Sequence, residues 1–295
     1  MSSESKSRST KDFVFLYLKG MAMGAADVVP GVSGGTIAFI TGIYEELLDT
    51  IKGFNLSVFS TLKNDGLVAT WNQTNATFLV VLFAGIFTSI ISLAKGITYL
   101  LATYPILLWA FFFGLIIASS IIIGRYIKKW GVKEILAMIV GAAVAFYITV
   151  AAPSQIPDGM LYIFLAGCIA ICAMILPGIS GSFILVILGA YKTLSDAFHD
   201  FDIKKIALFA SGAVVGLLSC SRILKWLFKN YHNLTLALLT GFILGSLNKV
   251  WPYKKTLKVM EDTTGNIVDF ETVSNFGTLG IYQKSIQNFD SYKMV

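Results

Sequence analysis

The stretch Ala26-Asp27-Val28-Val29-Pro30-Gly31-Val32-Ser33-Gly34-Gly35-Thr36 lies between two apolar segments, Phe13–Val29 and Ile37–Leu48. No continuous helix accommodates Pro-Gly and then Ser-Gly-Gly at its middle. Proline removes a backbone donor and clashes with the preceding turn, and glycine is costly in a helix interior. The stretch recurs as Leu176-Pro177-Gly178-Ile179-Ser180-Gly181-Ser182, so that Ser33 aligns with Ser180 at a displacement of 147. Behind it Ile40/Ile187, Gly42/Gly189, Tyr44/Tyr191 and Leu47/Leu194 stay in step. A chain of this kind must build two broken apolar helices.

Composition says where such helices sit. The 295 residues are 56% hydrophobic and 14% charged, whereas a soluble domain carries about 25% charged residues. The deficit runs along nearly the whole chain and indicates a polytopic membrane protein. The net charge of +6 does not mark a nucleic-acid binder, because the basic residues gather at helix ends and not along one face. They read as topology signals and phosphate partners. The polar start MSSESKSRST is followed by no cleavage pattern, so no removable signal peptide is expected. Cys168, Cys172 and Cys220 fall in apolar runs with no histidine near in sequence, and read as small buried hydrophobes, with no metal site.

A spanning helix needs about 20 mostly apolar residues. Ala76–Ala94, Pro105–Ile123, Glu134–Ala151, Ile206–Ser221 and Leu234–Val250 qualify. The motif regions 12–48 and 160–191 are each too long for one span and broken at the middle, so each is expected to form a helical hairpin, re-entrant or of two short spans. Lys6, Arg8 and Lys11 place the N-terminus in the cytoplasm by the positive-inside rule. Arg125, Lys128, Lys129 and Lys133 form a second basic loop, while Pro153–Gly159 has no Lys or Arg and belongs outside. Counting crossings from a cytoplasmic start satisfies all three.

The second parts of the two halves also correspond, now displaced by 127: Gly85/Gly212, Ser92/Ser219, Lys95/Arg222, Tyr104/Tyr231, Gly114/Gly241 and Ser119/Ser246. Half one carries a longer polar insert, roughly Lys52–Asn75. The expected architecture is an all-α membrane protein of two inverted repeats, about 12–123 and 160–250, joined by a linking helix at about 134–151. Each repeat holds one broken hairpin and two transmembrane helices, within a single transporter domain, 1–252. Inverted repeats with broken helices meeting near the midplane are common among secondary transporters. Residues 253–295 are a polar tail in which Val259–Val273, around Thr264-Gly265-Asn266, suits a small hairpin. The crossing count puts this tail outside; Lys254, Lys255 and Lys258 argue for the cytoplasm.

Irregular backbone at membrane depth survives only where protein or a water-filled cavity surrounds it. Gly34, Gly35 and Gly181 allow a ligand close to backbone N–H groups, the half-helix after each turn offers unpaired donors, and Ser33, Thr36, Ser180 and Ser182 add hydroxyls. Such a cradle suits a phosphate. The competing reading is a kink for close packing, with the serines bonded to backbone. Lys19, Asp27, Glu45, Glu46, Lys95 and Arg222 are charges inside apolar blocks, each costing about 2.5–3.5 kcal/mol at the bilayer centre. Lys95 and Arg222 occupy equivalent places and either bind phosphate or snorkel at a helix end. Asp27 either titrates for proton coupling or ties off donors at the turn, and Glu45 is either a proton carrier or an interfacial carboxylate. Gly96–Tyr104 and Ile223–His232 read as connectors or interfacial helices. There is no G-x-S-x-G, H-E-x-x-H or Walker pattern, so no catalytic set and no cofactor is expected.

The segments A-A-D-V-V-P-G-V-S-G-G-T-I-A-F-I-T-G-I-Y-E-E-L at 25–47, L-P-G-I-S-G-S-F-I-L-V-I-L-G-A-Y at 176–191, F-F-G-L-I-I-A-S and T-G-F-I-L-G-S-L resemble the PopT-like undecaprenyl-phosphate translocase family over about residues 12–252. The resemblance implies a bacterial cytoplasmic-membrane flippase. It would return undecaprenyl phosphate, a polyprenyl-phosphate lipid, to the inner leaflet for peptidoglycan and teichoic-acid synthesis. On that expectation Ser33–Thr36, Ser180–Ser182, Lys95 and Arg222 hold the headgroup, while Asp27 or Glu45 couples its movement to protons. A transporter of a small water-soluble anion and a membrane lipid phosphatase are the alternatives. The oligomeric state is not legible.

Overall fold

The computed structural model describes residues 8–29, 32–55, 57–151, 159–261, 267–274 and 293–294; Lys6, Pro30-Gly31, most of the neutral loop Pro153–Gly159 and the turn at Thr264–Asn266 lie outside them. Half one opens with α1 (Thr10–Val28), started by a capping box in which the Asp12 carboxylate accepts the Ser9 N–H at 2.9 Å. The helix stops where Pro30 follows, because the residue before proline is pushed out of the helical region. Two short helices follow, α2 (Gly34–Ile40) and α3 (Tyr44–Gly53). The polar insert forms α4 (Ser57–Asn64) and α5 (Gly66–Gln73). The half closes with α6 (Ala76–Thr103) and α7 (Pro105–Tyr126). After the linking helix α8 (Val132–Val150), half two runs α9 (Met160–Ile175), α10 (Gly181–Ile187), α11 (Ala190–His199), α12 (Ile203–Asn230) and α13 (His232–Gly245), with a 3-10 turn at Ser246–Asn248.

The correspondence seen in sequence recurs in the elements. Displacing α2 by 147 gives the bounds of α10, and displacing α6 by 127 gives those of α12, both of them 28 residues long. Gly42 and Gly189 turn the chain at φ 73° and 72°, a left-handed conformation that glycine adopts without strain. Tyr104 and Tyr231 join the long helices to the next with nearly the same backbone, φ −133°, ψ 52° against φ −138°, ψ 51°. Packing repeats too. Gly20 and Gly85 let α1 touch α6 backbone to backbone at the Tyr17 and Leu82 carbonyls. Gly167 and Gly212 do the same for α9 and α12 at Phe164 and Phe209. These contacts are equivalent residue for residue under the two displacements. Small residues that admit such approach are how helices pack where lipid supplies no hydrophobic drive.

Four helices among the described residues, α6, α7, α8 and α12, are long and apolar enough to cross a membrane, while α10 and α11 form one apolar pair bent by 109°. Ile91, Leu107, Phe111 and Tyr147 stand exposed on these helices, as a lipid-facing surface requires. At one end of the bundle the Arg8 guanidinium pairs with Glu46, whose carboxylate also accepts from Asn75 at 3.1 Å. The α7–α8 loop and the α12–α13 junction also meet each other, around a cavity of about 630 Å³. Gly159, Ala190 and Asp202 line a cavity of about 360 Å³ where α9 and α12 begin. The Asn248 side chain donates to Thr149 at 3.1 Å, which brings the chain after α13 to the C-terminal end of α8. Beyond it, β1 (Lys254–Glu261) pairs antiparallel with β2 (Ile267–Ser274) and with β3 (Lys293–Met294), in line with the hairpin expected there.

The spans differ from expectation in two respects. Leu234–Val250 does not form one spanning helix: α13 has 14 residues and ends at Gly245, where a 3-10 turn takes over, so it is not among the helices long enough to cross. Gly96–Tyr104 and Ile223–His232 are not separate connectors, since α6 and α12 run unbroken to Thr103 and Asn230. Hydropathy falls at Lys95 and Arg222, but lysine and arginine are good helix formers and the i→i−4 ladder continues through them. Gly85→Val and Gly212→Val should each lower stability by about 1–3 kcal/mol, because the added side chain meets backbone. Gly96→Ala, with open space around it, should be neutral or mildly stabilising; thermal unfolding in detergent measures all three.

Candidate functional site

The two broken turns bind each other. The Gly178 N–H donates to the Thr36 hydroxyl at 2.8 Å, and the Tyr44 hydroxyl donates to the Ile175 carbonyl at 3.1 Å. Gly35 sits so near the end of α9 that a Cβ there would lie 3.0 Å from the Ile175 carbonyl and 3.1 Å from that of Met174. Backbone groups orphaned by the break in half two are thus satisfied by side chains of half one, as buried polar groups must be.

The turns are not equivalent in what they hold. In half one, Ser33 is 2% exposed, caps α2 and accepts the Gly35 N–H at 3.1 Å. The Asp27 carboxylate accepts the Gly34 N–H at 2.6 Å, and the Thr36 N–H reaches the Ser33 carbonyl at 3.0 Å. The donors of this cradle are taken by the protein's own oxygens. In half two Met174 stands at the position equivalent to Asp27, and Ser180 makes no cap to α10. The Ser180 and Ser182 hydroxyls are 2.9 Å apart, with Ser182 exposed beside Gly181.

Other expected site residues stand apart from the turns. Lys95 and Arg222 are exposed on α6 and α12, and among the described residues neither makes a hydrogen bond or ion pair with a turn residue. Glu45 lies on α3 beside Lys225 (3.8 Å) and His232 (3.4 Å) of half two. Lys19 donates to the Thr41 carbonyl at 2.7 Å, tying α1 to the far end of α2. One cation near the second turn was not singled out in the sequence: the Lys249 ammonium lies 4.0 Å above the ring of Phe183, the neighbour of Ser182. Its signal was a lone lysine closing the last apolar stretch, read only as a span end. Cys168 and Cys172 donate to the Gly212 and Gly216 carbonyls at 3.0 and 3.4 Å, within the α9–α12 packing.

The fold and the joined turns define a multi-pass helical membrane protein with broken helices at its centre. Residues 23–268 match the family described as undecaprenyl phosphate translocase-like, and the chain belongs to that family. A protein of Vibrio cholerae named polyprenyl-phosphate transporter is 49% identical over 88% of this chain and 84% of its own length. One of Staphylococcus aureus with the same name is 33% identical over 82% of this chain and 88% of its own. No solved structure matches. These are the names of transporters and not of enzymes, which sets the lipid-phosphatase alternative aside.

Asp27→Ala should cost about 1–3 kcal/mol, since the Gly34 N–H loses its acceptor, while Asp27→Asn, which keeps a side-chain oxygen, should cost less. Thermal unfolding of the two variants in detergent gives the order.

Proposed function

We propose that this chain carries a polyprenyl monophosphate, undecaprenyl phosphate, from the outer to the cytoplasmic leaflet of a bacterial membrane, returning the carrier for cell-wall polymer synthesis. The observation that carries the reading is the pair of joined turns, one filled by an internal carboxylate and one with exposed hydroxyls. The related proteins named polyprenyl-phosphate transporter supply the substrate class.

In this reading the halves are inverted, with the N-terminus cytoplasmic and α1 and α9 entering from opposite sides. The Arg8–Glu46 pair beside α3 and the cavity where α9 and α12 begin support it. The phosphate engages Ser180, Gly181 and Ser182 first, because that turn holds no anion of its own. Ser33, Gly34, Gly35 and Thr36 receive it only when the Asp27 carboxylate leaves the Gly34 N–H. Protonation of Asp27 weakens that bond by removing its charge, and so couples headgroup transfer to protons. Glu45 is the second coupling candidate. Lys95 and Arg222, on the outer faces of equivalent helices, pair with the headgroup as it slides in from the bilayer. All of this falls within one transporter domain, residues 1–252, followed by the tail 253–295.

Vesicles reconstituted with the protein should equilibrate labelled undecaprenyl phosphate between leaflets and leave inorganic phosphate where it was. Ser180→Ala with Ser182→Ala should slow lipid transfer about ten-fold or more, the loss of one or two bonds to a charged group. Unchanged transfer would remove the second turn from the site, and unchanged transfer after Lys95→Glu with Arg222→Glu would remove the outer cations. Collapsing an imposed proton gradient should reduce directional transfer in the parent but not in Asp27→Asn.

A further inference from the structure

The two halves are alike in fold but not in how they close. At the end bearing Arg8, α3 of half one leans across onto α12 of half two. Lys225 of α12 pairs with Asp49 at 2.7 Å and Glu45 at 3.8 Å, and His232 at the start of α13 reaches the other Glu45 oxygen at 3.4 Å. Beneath these charges Phe39, Tyr44 and Phe228 stack, with ring centroids 4.9 Å (Phe39–Tyr44), 6.4 Å (Phe39–Phe228) and 6.1 Å (Tyr44–Phe228) apart. At the opposite end the equivalent of α3 is α11, which rests on α10 and α12, with no comparable packing onto α6. The equivalent tyrosines show the difference directly: Tyr44 is 2% exposed and Tyr191 is 53% exposed.

We infer that α3 is a gate latched shut at the N-terminal end by Lys225 between Glu45 and Asp49, and that the resting protein is open at the opposite end, where α11 stands away from α6. The inference rests on the proposed transfer of the lipid phosphate between inverted halves and adds to it that access alternates between the two ends, which face is open at rest and what holds the other closed.

The sequence makes the latch one-sided. Displacing Lys225 and His232 by 127 gives Thr98 and Pro105, and displacing Glu45 by 147 gives Lys192, so the matching positions of the other end carry neither the basic residues nor the Glu45 carboxylate of the latch. Closure at the Arg8 end gains ion pairs that closure at the other end lacks, and the equilibrium leans accordingly. The pairs are partly exposed, with Lys225 at 24%, Glu45 at 48% and Asp49 at 51%. Such pairs are individually weak, and a gate that must reopen in every cycle needs a latch of that kind. With the N-terminus in the cytoplasm, the open face meets the outer leaflet, where a lipid to be returned inward is collected.

Cysteine labelling tests this without any substrate. In a chain carrying Cys168→Ala, Cys172→Ala and Cys220→Ala, Tyr191→Cys should react with a membrane-impermeant maleimide applied opposite the N-terminal side. Tyr44→Cys and Phe228→Cys should be protected from both sides. Adding Lys225→Glu should raise labelling of Tyr44→Cys and Phe228→Cys from the N-terminal side about three- to ten-fold, the population shift expected from losing weak pairs, and lower that of Tyr191→Cys. Combining Lys225→Glu with Asp49→Lys should restore protection, which a merely unfolded variant would not do. Equal labelling of the two tyrosine positions in the parent, rates unmoved by Lys225→Glu, or no recovery in the charge swap would each overturn the latch. If lipid transfer proceeds while labelling ignores Lys225, the latch alone fails. If labelling follows the latch but undecaprenyl phosphate is not moved, the substrate reading alone fails.

Discussion

Broken backbone in the middle of a membrane protein has to find partners inside the protein, because lipid offers none. Here the break in half two finds its partners in half one. Thr36 takes the Gly178 N–H and Tyr44 donates to the Ile175 carbonyl, so that break is tolerable only while half one is beside it, whereas the break in half one is closed by its own Asp27 and Ser33. The rest of the molecule follows from that dependence. The glycine contacts of α1 with α6 and of α9 with α12 clamp each broken arm to an unbroken one. Thr36 and Tyr44, on the half-helices beyond the first break, hold the turns face to face. The halves touch at these turns and again at the Arg8 end, where α3 meets α12, and it is at the two ends that they differ.

Those differences come from a handful of side chains on a shared plan. Asp27 opposite Met174 makes one cradle self-filled and leaves the other unoccupied by protein. Lys225 and His232 opposite Thr98 and Pro105 give one end a latch and the other none. In both cases the fold supplies two equivalent places, and a change of side chain at one of them biases a symmetric device in one direction. Weak pairs suffice, because an equilibrium between two similar packings shifts ten-fold for about 1.4 kcal/mol.

Much of this was legible in the chain. Pro30-Gly31 and Pro177-Gly178 announce their breaks through local chemistry alone, and the displacement of 147 that joins Ser33 to Ser180 needed no coordinates. The ends of α6 and α12 lie beyond the places that hydropathy indicates, because hydropathy falls at Lys95 and Arg222 while a helix stops where its hydrogen bonds do. In the sequence Asp27 reads as either a titrating group or a tie for backbone donors, and its bond to the Gly34 N–H shows the tie. The latch was out of reach. Lys225 read as one of several basic residues in an interfacial run, and nothing local connects it to Asp49, 176 positions away.

The self-filled cradle also bears on why one phosphate is enough. Two empty anion sites side by side would attract two headgroups or hold one too tightly to release, and binding energy spent equally on both faces moves nothing. In the proposed transfer, with Asp27 already seated at Gly34, a headgroup that arrives at Ser180 meets a full neighbour and advances only as that carboxylate gives way. On that proposal the protein's own anion is a competitor held in place, and the exchange of one oxygen ligand for another would keep the Gly34 donor satisfied throughout. A carrier designed on those terms never exposes an unpaired backbone group at depth, which is the constraint that the broken helices imposed from the start.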